Sequence, residues 1–411
     1  MRILFVHQNF PGQFKNLMPA LAKDPANEIV VLTMNSYPER ERLQVVTYKP
    51  TRGTTPNMHP WVSDFETQTI RGEAVFRAAT KLKNEGFSPD IIIAHPGWGE
   101  SLFLKDVWPN ARLGMYCEFF YHAEGYDVGF DPEFAVPDPG NACRLRLKNV
   151  NNLLHFQIAD AGISPTHWQA STFPEAFRKR ITVIHDGIDT DVVVPNPSVF
   201  LTLNGTVTLT REHEVITFVN RNLEPYRGYH TFVRALPEIL KRRPQAHVMI
   251  VGGDDVSYGS RPPKGQKWRD IFFNEVKGQL DCSRIHFVGH VPYQYFIPLL
   301  QLSTVHVYLT YPFVLSWSLL EAMSAGCSIV ASDTPPLHEA IHHNETGRLV
   351  NFFDAQALAD EVVALLEHPE ERQRLGANAR TFAVKHYDLK TVCLPQQLAW
   401  AEQLRDGLPV F

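Results

Sequence analysis

Two doubly wound α/β domains joined in series are what this sequence predicts, and three observations carry the prediction. Short β-branched apolar runs alternate along the chain with segments of helical periodicity. A strand, a glycine-containing loop and a helix open the chain at residues 2–21, and the same order returns at residues 215–240. Between the two openings, residues 195–214 lose all periodicity and become rich in Pro, Asn, Thr and Gly, the composition of a domain boundary. With 411 residues, 44% of them hydrophobic and 20% charged, the chain is long enough to bury two cores.

Composition removes several function classes. A formal net charge of −5 argues against a nucleic-acid protein, whose footprint is basic. The five cysteines, Cys117, Cys143, Cys282, Cys327 and Cys393, are odd in number, widely spaced and form no CxxC pair. They point to reduced thiols rather than a disulfide framework or a zinc site. Met1-Arg2 leads at once into four apolar residues, too short a run for a signal peptide, and no apolar run approaches the roughly 20 residues that span a bilayer. The expectation is a cytoplasmic protein, soluble or held at the inner face of the membrane.

In the first half, residues 2–7 form a buried strand that Asn9-Phe10-Pro11-Gly12-Gln13 breaks, after which Phe14, Leu17, Met18 and Leu21 recur at helical spacing. Residues 28–33 are a second strand, and residues 65–85 a helix ending near Gly86. The strand at 89–95 opens into Pro96-Gly97-Trp98-Gly99-Glu100, and the strand at 112–117 runs into Glu118 and then His122. Loops at the carboxyl ends of such strands bind ligands, so His95, Glu118 and His122 are candidates. The alternatives are a structural histidine, a salt-bridged Glu118 and a solvated His122. Arg144, Arg146 and Lys148 interleave with Leu145 and Leu147, a pattern that fits a solvated helix face or contact with an anionic acceptor or lipid surface. Strands follow at 158–164 and 181–185.

In the second half, the strand at 215–219 ends in Asn220-Arg221, and Arg227-Gly228 precede a helix over 232–240. Two arginines before a helix amino terminus suit phosphate, although loop arginines are often merely exposed. Further strands are expected at 246–251, 285–288, 305–309 and 327–331, with a hairpin turn at Asn204-Gly205 in the boundary region. Asp254-Asp255 lack a nearby third ligand, so a polar loop is preferred over a metal site. Residues 258–269 form a basic loop, expected to be mobile, and Gly289-His290-Val291-Pro292 should face a nucleotide base. Phe313-Val314-Leu315-Ser316 lead into WSLLEAMSAG, where Ser318 and Glu321 have capping-box spacing and Gly326 stops the helix. The helix amino end, with its unpaired amides, is half of an anion site.

That stretch, LLEAMSAG followed by IVASD, resembles the nucleotide-sugar signature of the family 4 glycosyltransferases, retaining enzymes with two Rossmann-like domains facing a cleft (the GT-B architecture). The resemblance spans the chain, weakly over residues 1–190 and strongly over 215–350. It implies that Glu321 binds the ribose of a nucleoside diphosphate sugar, UDP- or GDP-linked. It also implies that Arg221 and Arg227 neutralise the pyrophosphate beside Gly228, with Arg227 standing where lysine is usual, and that Gly12 lies near the pyrophosphate and acceptor. Backbone amides around Leu315 and Ser316 would meet the leaving diphosphate, and Val291 would line the base. Of the two family glutamates, which have seven residues between them, the first position holds Phe313.

The resemblance further implies an acceptor-side domain over 1–195, a donor domain over 215–388, and a terminal helix from about 389 crossing back onto the first. Glu118 and His122 would contact the sugar or the reacting hydroxyl, and domain closure would bring acceptor to donor. The departing phosphate oxygen would take the acceptor proton, so that neither a strong protein base nor a metal or other cofactor is needed. The expected reaction transfers a sugar to a glycan, lipid-linked or small-molecule acceptor in polysaccharide or glycoconjugate synthesis. Phe313 keeps two alternatives in view, a GT-B nucleotide-sugar epimerase and a non-catalytic nucleotide-sugar-binding protein. The missing GxGxxG fingerprint weighs against a dinucleotide-dependent dehydrogenase.

Overall fold

In the computed structural model, which describes residues 1–38, 42–203 and 205–407, apolar runs become the central strands of two parallel sheets. The first unit gathers Met1–Val128, Val136–Gly187 and the segment from Lys390 onward. Its strands are β1 (Arg2–Val6), β2 (Glu28–Thr33), β3 (Leu43–Thr47), β4 (Ile91–Ala94), β5 (Arg112–Tyr116), β6 (Ala161–Ser164) and β7 (Ile181–Val183). They lie in the order β3-β2-β1-β4-β5-β6-β7, every neighbour parallel.

Strand β1 shows why its sequence is apolar throughout: a parallel strand is covered on both faces. Leu4 and Val6 pack with Val75, Ala79 and Leu82 of the helix Ser63–Asn84. Ile3 and Phe5 face the other way, toward Leu17, Met18 and the helix Leu394–Asp406, whose Trp400 is almost fully buried. That terminal helix begins with Pro395 in its first turn, where the missing amide proton costs nothing.

The second unit gathers Gly129–Ala135 and Ile188–Leu389. An antiparallel hairpin, β8 (Phe200–Leu203) with β9 (Val207–Thr210), precedes the sheet. The sheet strands are β10 (Val215–Asn222), β11 (His247–Gly253), β12 (Ile285–Gly289), β13 (Val305–Tyr308), β14 (Ser328–Ser332) and β15 (Arg348–Val350), ordered β12-β11-β10-β13-β14-β15 and all parallel. Ile188 and Val193, read from the sequence as part of the first domain, pack instead in the second core with Leu319, Met323 and Ile329.

The short stretch Gly129–Ala135 belongs to the second unit because its side chains are held there. Asp131 carries the His230 ring 3.0 Å away and accepts the Tyr311 hydroxyl at 2.9 Å. Glu133 pairs with Arg234, and Phe134 packs against Trp268 and Phe272. Burial alone would raise the Asp131 carboxyl; His230 and its hydrogen bonds overcome that and hold it below the usual range.

Several local expectations change. Asn220 and Arg221, expected in a loop, lie within β10, which continues to Asn222 through a register shift after Val219. The helix expected over 232–240 starts earlier and runs Tyr229–Arg242, since Gly228 already supplies its left-handed entry. Strand β3, at the sheet edge, went unread because only Leu43 is buried, Val45 and Val46 being half-buried between exposed Gln44 and Thr47. The hairpin turn expected at Asn204-Gly205 falls partly outside the described residues, Asn204 not being among them; Gly205 has φ +70.

Candidate functional site

Each sheet presents polar side chains at the carboxyl ends of its central strands, where doubly wound sheets bind ligands. In the second unit, Gly228 joins the turn Pro225–Arg227 to the helix Tyr229–Arg242. Its φ of +70 and its packing both exclude a side chain: a Cβ here would stand 2.3 Å from the Leu309 Cβ. The turn delivers Arg227 into a buried position beneath β13. Its Nη1 donates to Thr310 Oγ1 at 2.6 Å and to the Val314 carbonyl at 3.3 Å, and the Tyr258 ring lies 5.4 Å from the guanidinium carbon. Burial works against the charge, but Tyr308, Tyr258, Tyr226 and Glu224 outweigh it and hold Arg227 above its ordinary value. Arg227 is therefore a fixed cation at neutral pH, and its Nε and Nη2 make no hydrogen bond among the described residues.

Strand β13 ends at Tyr308, and residues 309–316, Thr310 among them, lead into the helix Trp317–Ser324. Ser316, not Ser318, is the helix cap: it is extended (φ −88, ψ 143) and its hydroxyl accepts from the Ser318 amide. Glu321 accordingly sits in the second turn and is no capping-box partner. Of the amides expected to meet an anion, that of Ser316 donates to the Tyr308 hydroxyl at 3.1 Å, while those of Val314 and Leu315 have no hydrogen-bond acceptor among the described residues. Leu315 is thus the stronger candidate of the pair.

Glu321 is 5% exposed and accepts the Tyr293 hydroxyl at 2.7 Å. Tyr293 opens the helix Tyr293–Leu302, two residues after Val291, which packs partly buried against the second core. Phe313 is buried, edge-on to Tyr226 with centroids 5.4 Å apart and against Tyr258 at 5.0 Å. An aromatic wall therefore stands where the family's first glutamate would be. Arg221 is exposed at the end of β10 and makes no ion pair among the described residues.

Sequence reasoning missed Glu224, Tyr293 and Thr310. Glu224 is fully buried and accepts the amides of Ser257, Tyr258 and Gly259, so the loop expected to be mobile is tied at its start beside Phe313. Glu224 stands three residues before Arg227 in the turn itself, which was the available signal. Asp254 pairs with Lys267 and Arg269, as a polar loop should.

In the first unit, β1, β4 and β5 deliver His7, His95 and Glu118 to one edge. Gly12 (φ +46) passes so close to His7 that a Cβ would lie 2.3 Å from its Nε2. His7 accepts the Asn9 amide at Nδ1 and bonds Gln13 through Nε2, 2.9 Å. Burial, then the neighbouring His95, pushes it down to about 4, so it is neutral at physiological pH. His95 is 2% exposed, accepts the Gly97 amide and stacks on Tyr116 at 5.4 Å; its Nε2 has no hydrogen-bond partner among the described residues and lies 3.6 Å from Glu118 Oε2. Tyr116 in turn donates to Asp186. The structure does not place His122 with this group: its Nε2 bonds the Thr172 carbonyl at 2.7 Å and its ring stacks on Tyr126. His95 and Glu118 are the pair the geometry brings together.

Comparison with known proteins defines the class. A family model described as "Glycosyl transferase family 4 group" matches residues 25–193, and one described as "Glycosyl transferases group 1" matches residues 207–382. The chain belongs to the glycosyltransferases of this family, with the two-domain GT-B fold.

Among its relatives, a phosphatidyl-myo-inositol mannosyltransferase of Mycobacterium tuberculosis is 29% identical over 186 residues, 44% of this chain and 45% of that protein. A D-inositol 3-phosphate glycosyltransferase of Corynebacterium efficiens is 26% identical over 204 residues, 49% of this chain and 46% of that protein. The matched region thus spans under half the length of these curated relatives. Among solved structures, sucrose-phosphate synthase from Thermosynechococcus elongatus aligns over 99% of this chain and 100% of its own, with TM-score 0.73 and 18% identity. Anabaena HepE, solved in complex with UDP, aligns over 98% of this chain and 100% of its own, with TM-score 0.68 and 16% identity.

Proposed function

We propose that this protein is a retaining glycosyltransferase that moves a sugar from a nucleoside diphosphate sugar to an acceptor hydroxyl in glycoconjugate or polysaccharide synthesis. The observation that carries the reading is the set of groups at the end of β13: buried cationic Arg227 with spare N–H groups, the uncommitted Leu315 amide, and buried Glu321 one helix turn beyond. As the glycosidic bond breaks, negative charge grows on the leaving diphosphate. Arg227 and the Leu315 amide are held in place to meet it, with Arg221 at the rim, and preorganised donors of this kind lower the barrier most. Glu321 accepts the Tyr293 hydroxyl, and an ionised carboxylate accepts several hydrogen bonds at once, a ribose hydroxyl among them.

The departing phosphate oxygen takes the acceptor proton as the new bond forms on the face the diphosphate leaves. The acceptor is assigned to the His95 and Glu118 edge of the first unit. The relatives support a glycolipid or inositol-type acceptor, and the HepE complexes with UDP and UDP-glucose support a uridine donor. We place the enzyme in the cytoplasm, working without a metal.

Phe313 favours one other reading. With aromatic rings in place of the sugar-holding carboxylate, the site could bind the nucleotide and turn over donor without an acceptor. A screen of UDP-, GDP- and dTDP-sugars by thermal shift and diphosphate release, with Glu321→Ala and Arg221→Ala alongside, separates these. The transferase reading predicts one stabilising donor with slow hydrolysis, both weakened in the variants. Conversion of the donor to its epimer, or binding with no release, would contradict it.

A further inference from the structure

The opposite end of the second sheet carries a different cleft, of about 1040 Å³, at the amino ends of β13 and β14. Four cations line it, Arg211, Arg372, Arg380 and Lys385, and no Asp or Glu does among the described residues. In a chain of net charge −5 this is a local reversal of sign.

The guanidiniums are positioned by backbone carbonyls, not by carboxylates. Arg211 Nη1 donates to the carbonyls of Gln301 and Ser303, Arg372 Nη1 to those of Leu365 and Leu366, and Arg380 Nη1 to those of Val193 and Ser324. Carbonyls orient these groups without cancelling their charge, and each arginine keeps N–H groups with no acceptor among the described residues. The acid that acts on Arg372, Glu214, is itself taken by Arg243. Burial first, and the charge of Arg211 second, push Arg372 below its ordinary value, the mark of cations crowded without a counterion.

An independent observation comes from the cleft floor. Ser328, the first residue of β14, is 2% exposed and lines the cleft, and its hydroxyl has no hydrogen-bond partner among the described residues. A buried hydroxyl left unpaired is costly, which a ligand oxygen would relieve.

We propose that this cleft is a second anion site that takes the phosphate group of a small phosphorylated molecule, with Arg211, Arg372 and Lys385 around the phosphate and Ser328 donating to it from the floor. It is distinct from the Arg227 and Glu321 site. The strands between them put the two roughly 15–20 Å apart at opposite sheet edges. A soluble ester is favoured over a lipid headgroup because the Ser328 hydroxyl lies below the surface, out of reach of a flat bilayer.

The test is calorimetric titration of the full-length protein with inorganic pyrophosphate. Arg211 and Lys385 are exposed, so the double variant Arg211→Gln, Lys385→Gln should fold, and Arg221→Gln serves as the donor-site control. The proposal expects a binding event weakened about tenfold or more in the double variant and a few-fold in Ser328→Ala, left intact by Arg221→Gln, and falling with added salt. Loss of the event in Arg221→Gln with retention in the double variant would overturn it, as would no binding. Vesicles containing phosphatidylglycerol form the second arm. Cosedimentation that depends on Arg211 and Lys385, without competition by pyrophosphate, would overturn the soluble-ester assignment in favour of a headgroup.

Discussion

Arg227 and Glu321 are buried for different reasons, and their substitutions should read differently. Truncating Arg227 removes the cation facing the diphosphate and leaves Thr310 and the Val314 carbonyl without their donor. Arg227→Ala should lower turnover on the order of 100-fold or more in steady-state kinetics, with a measurable loss of stability. Tyr293→Phe removes only the hydroxyl that holds Glu321. It should raise KM for the nucleotide sugar with little change in kcat, the mark of lost positioning rather than lost transition-state contact. Gly228→Ala meets both a left-handed backbone and the Leu309 side chain, so chemical denaturation should show a loss on the order of 2–4 kcal/mol.

At this scale the sequence made some candidates legible and hid others. Arg227, Gly228 and Glu321 announced themselves by charge beside a helix start and by their motif. Tyr293 and Glu224 did not, because what makes them matter is a contact across 28 and 33 residues of chain that no local pattern encodes. The surroundings of His122 were hidden for the same reason: its ring bonds the Thr172 carbonyl, 50 residues along the chain.

At the scale of elements, burial decided what could be read. The central strands are apolar on both faces, and so they stood out; β3, with a partly buried surface, and the exposed hairpin of β8 and β9 carry no such contrast. The terminal helix was visible only in outline. Its role is carried by Trp400, which reaches β5 so closely that a Cβ on Gly114 would lie 2.5 Å from the indole. Trp400→Ala should cost about 3–5 kcal/mol in urea unfolding, far more than an exposed position in the same helix. The cap of the helix Trp317–Ser324 shows the limit of motif reading: the S-x-x-E spacing was real, yet the chain used Ser316, which alone has the extended backbone a cap needs.

For the whole molecule, the buried histidines set the response to acid. Burial holds His7 and His155 down to about 4, and His185 and His306 down to about 3, against an unfolded value of 6.5. Their folded forms are neutral, so the unfolded chain binds more protons below pH 6.5. The stability they contribute is complete above that value and lost as pH falls toward 4, each unit of depression being worth ~1.4 kcal/mol per group. Urea midpoints measured from pH 7.5 to 4.5 should fall steadily; a flat profile would show that these rings are not held neutral. None of this was readable from composition, since a histidine's burial depends on the sheet around it.

The central claim is that the carboxyl edge of the second sheet is a nucleoside diphosphate site, and a crystal structure of the protein with UDP tests it most directly. The ribose hydroxyls should lie within hydrogen-bond distance of Glu321 and the diphosphate against Arg227 and the Leu315 amide. Nucleotide bound elsewhere, or ordered at this edge with its ribose away from Glu321, would contradict the account.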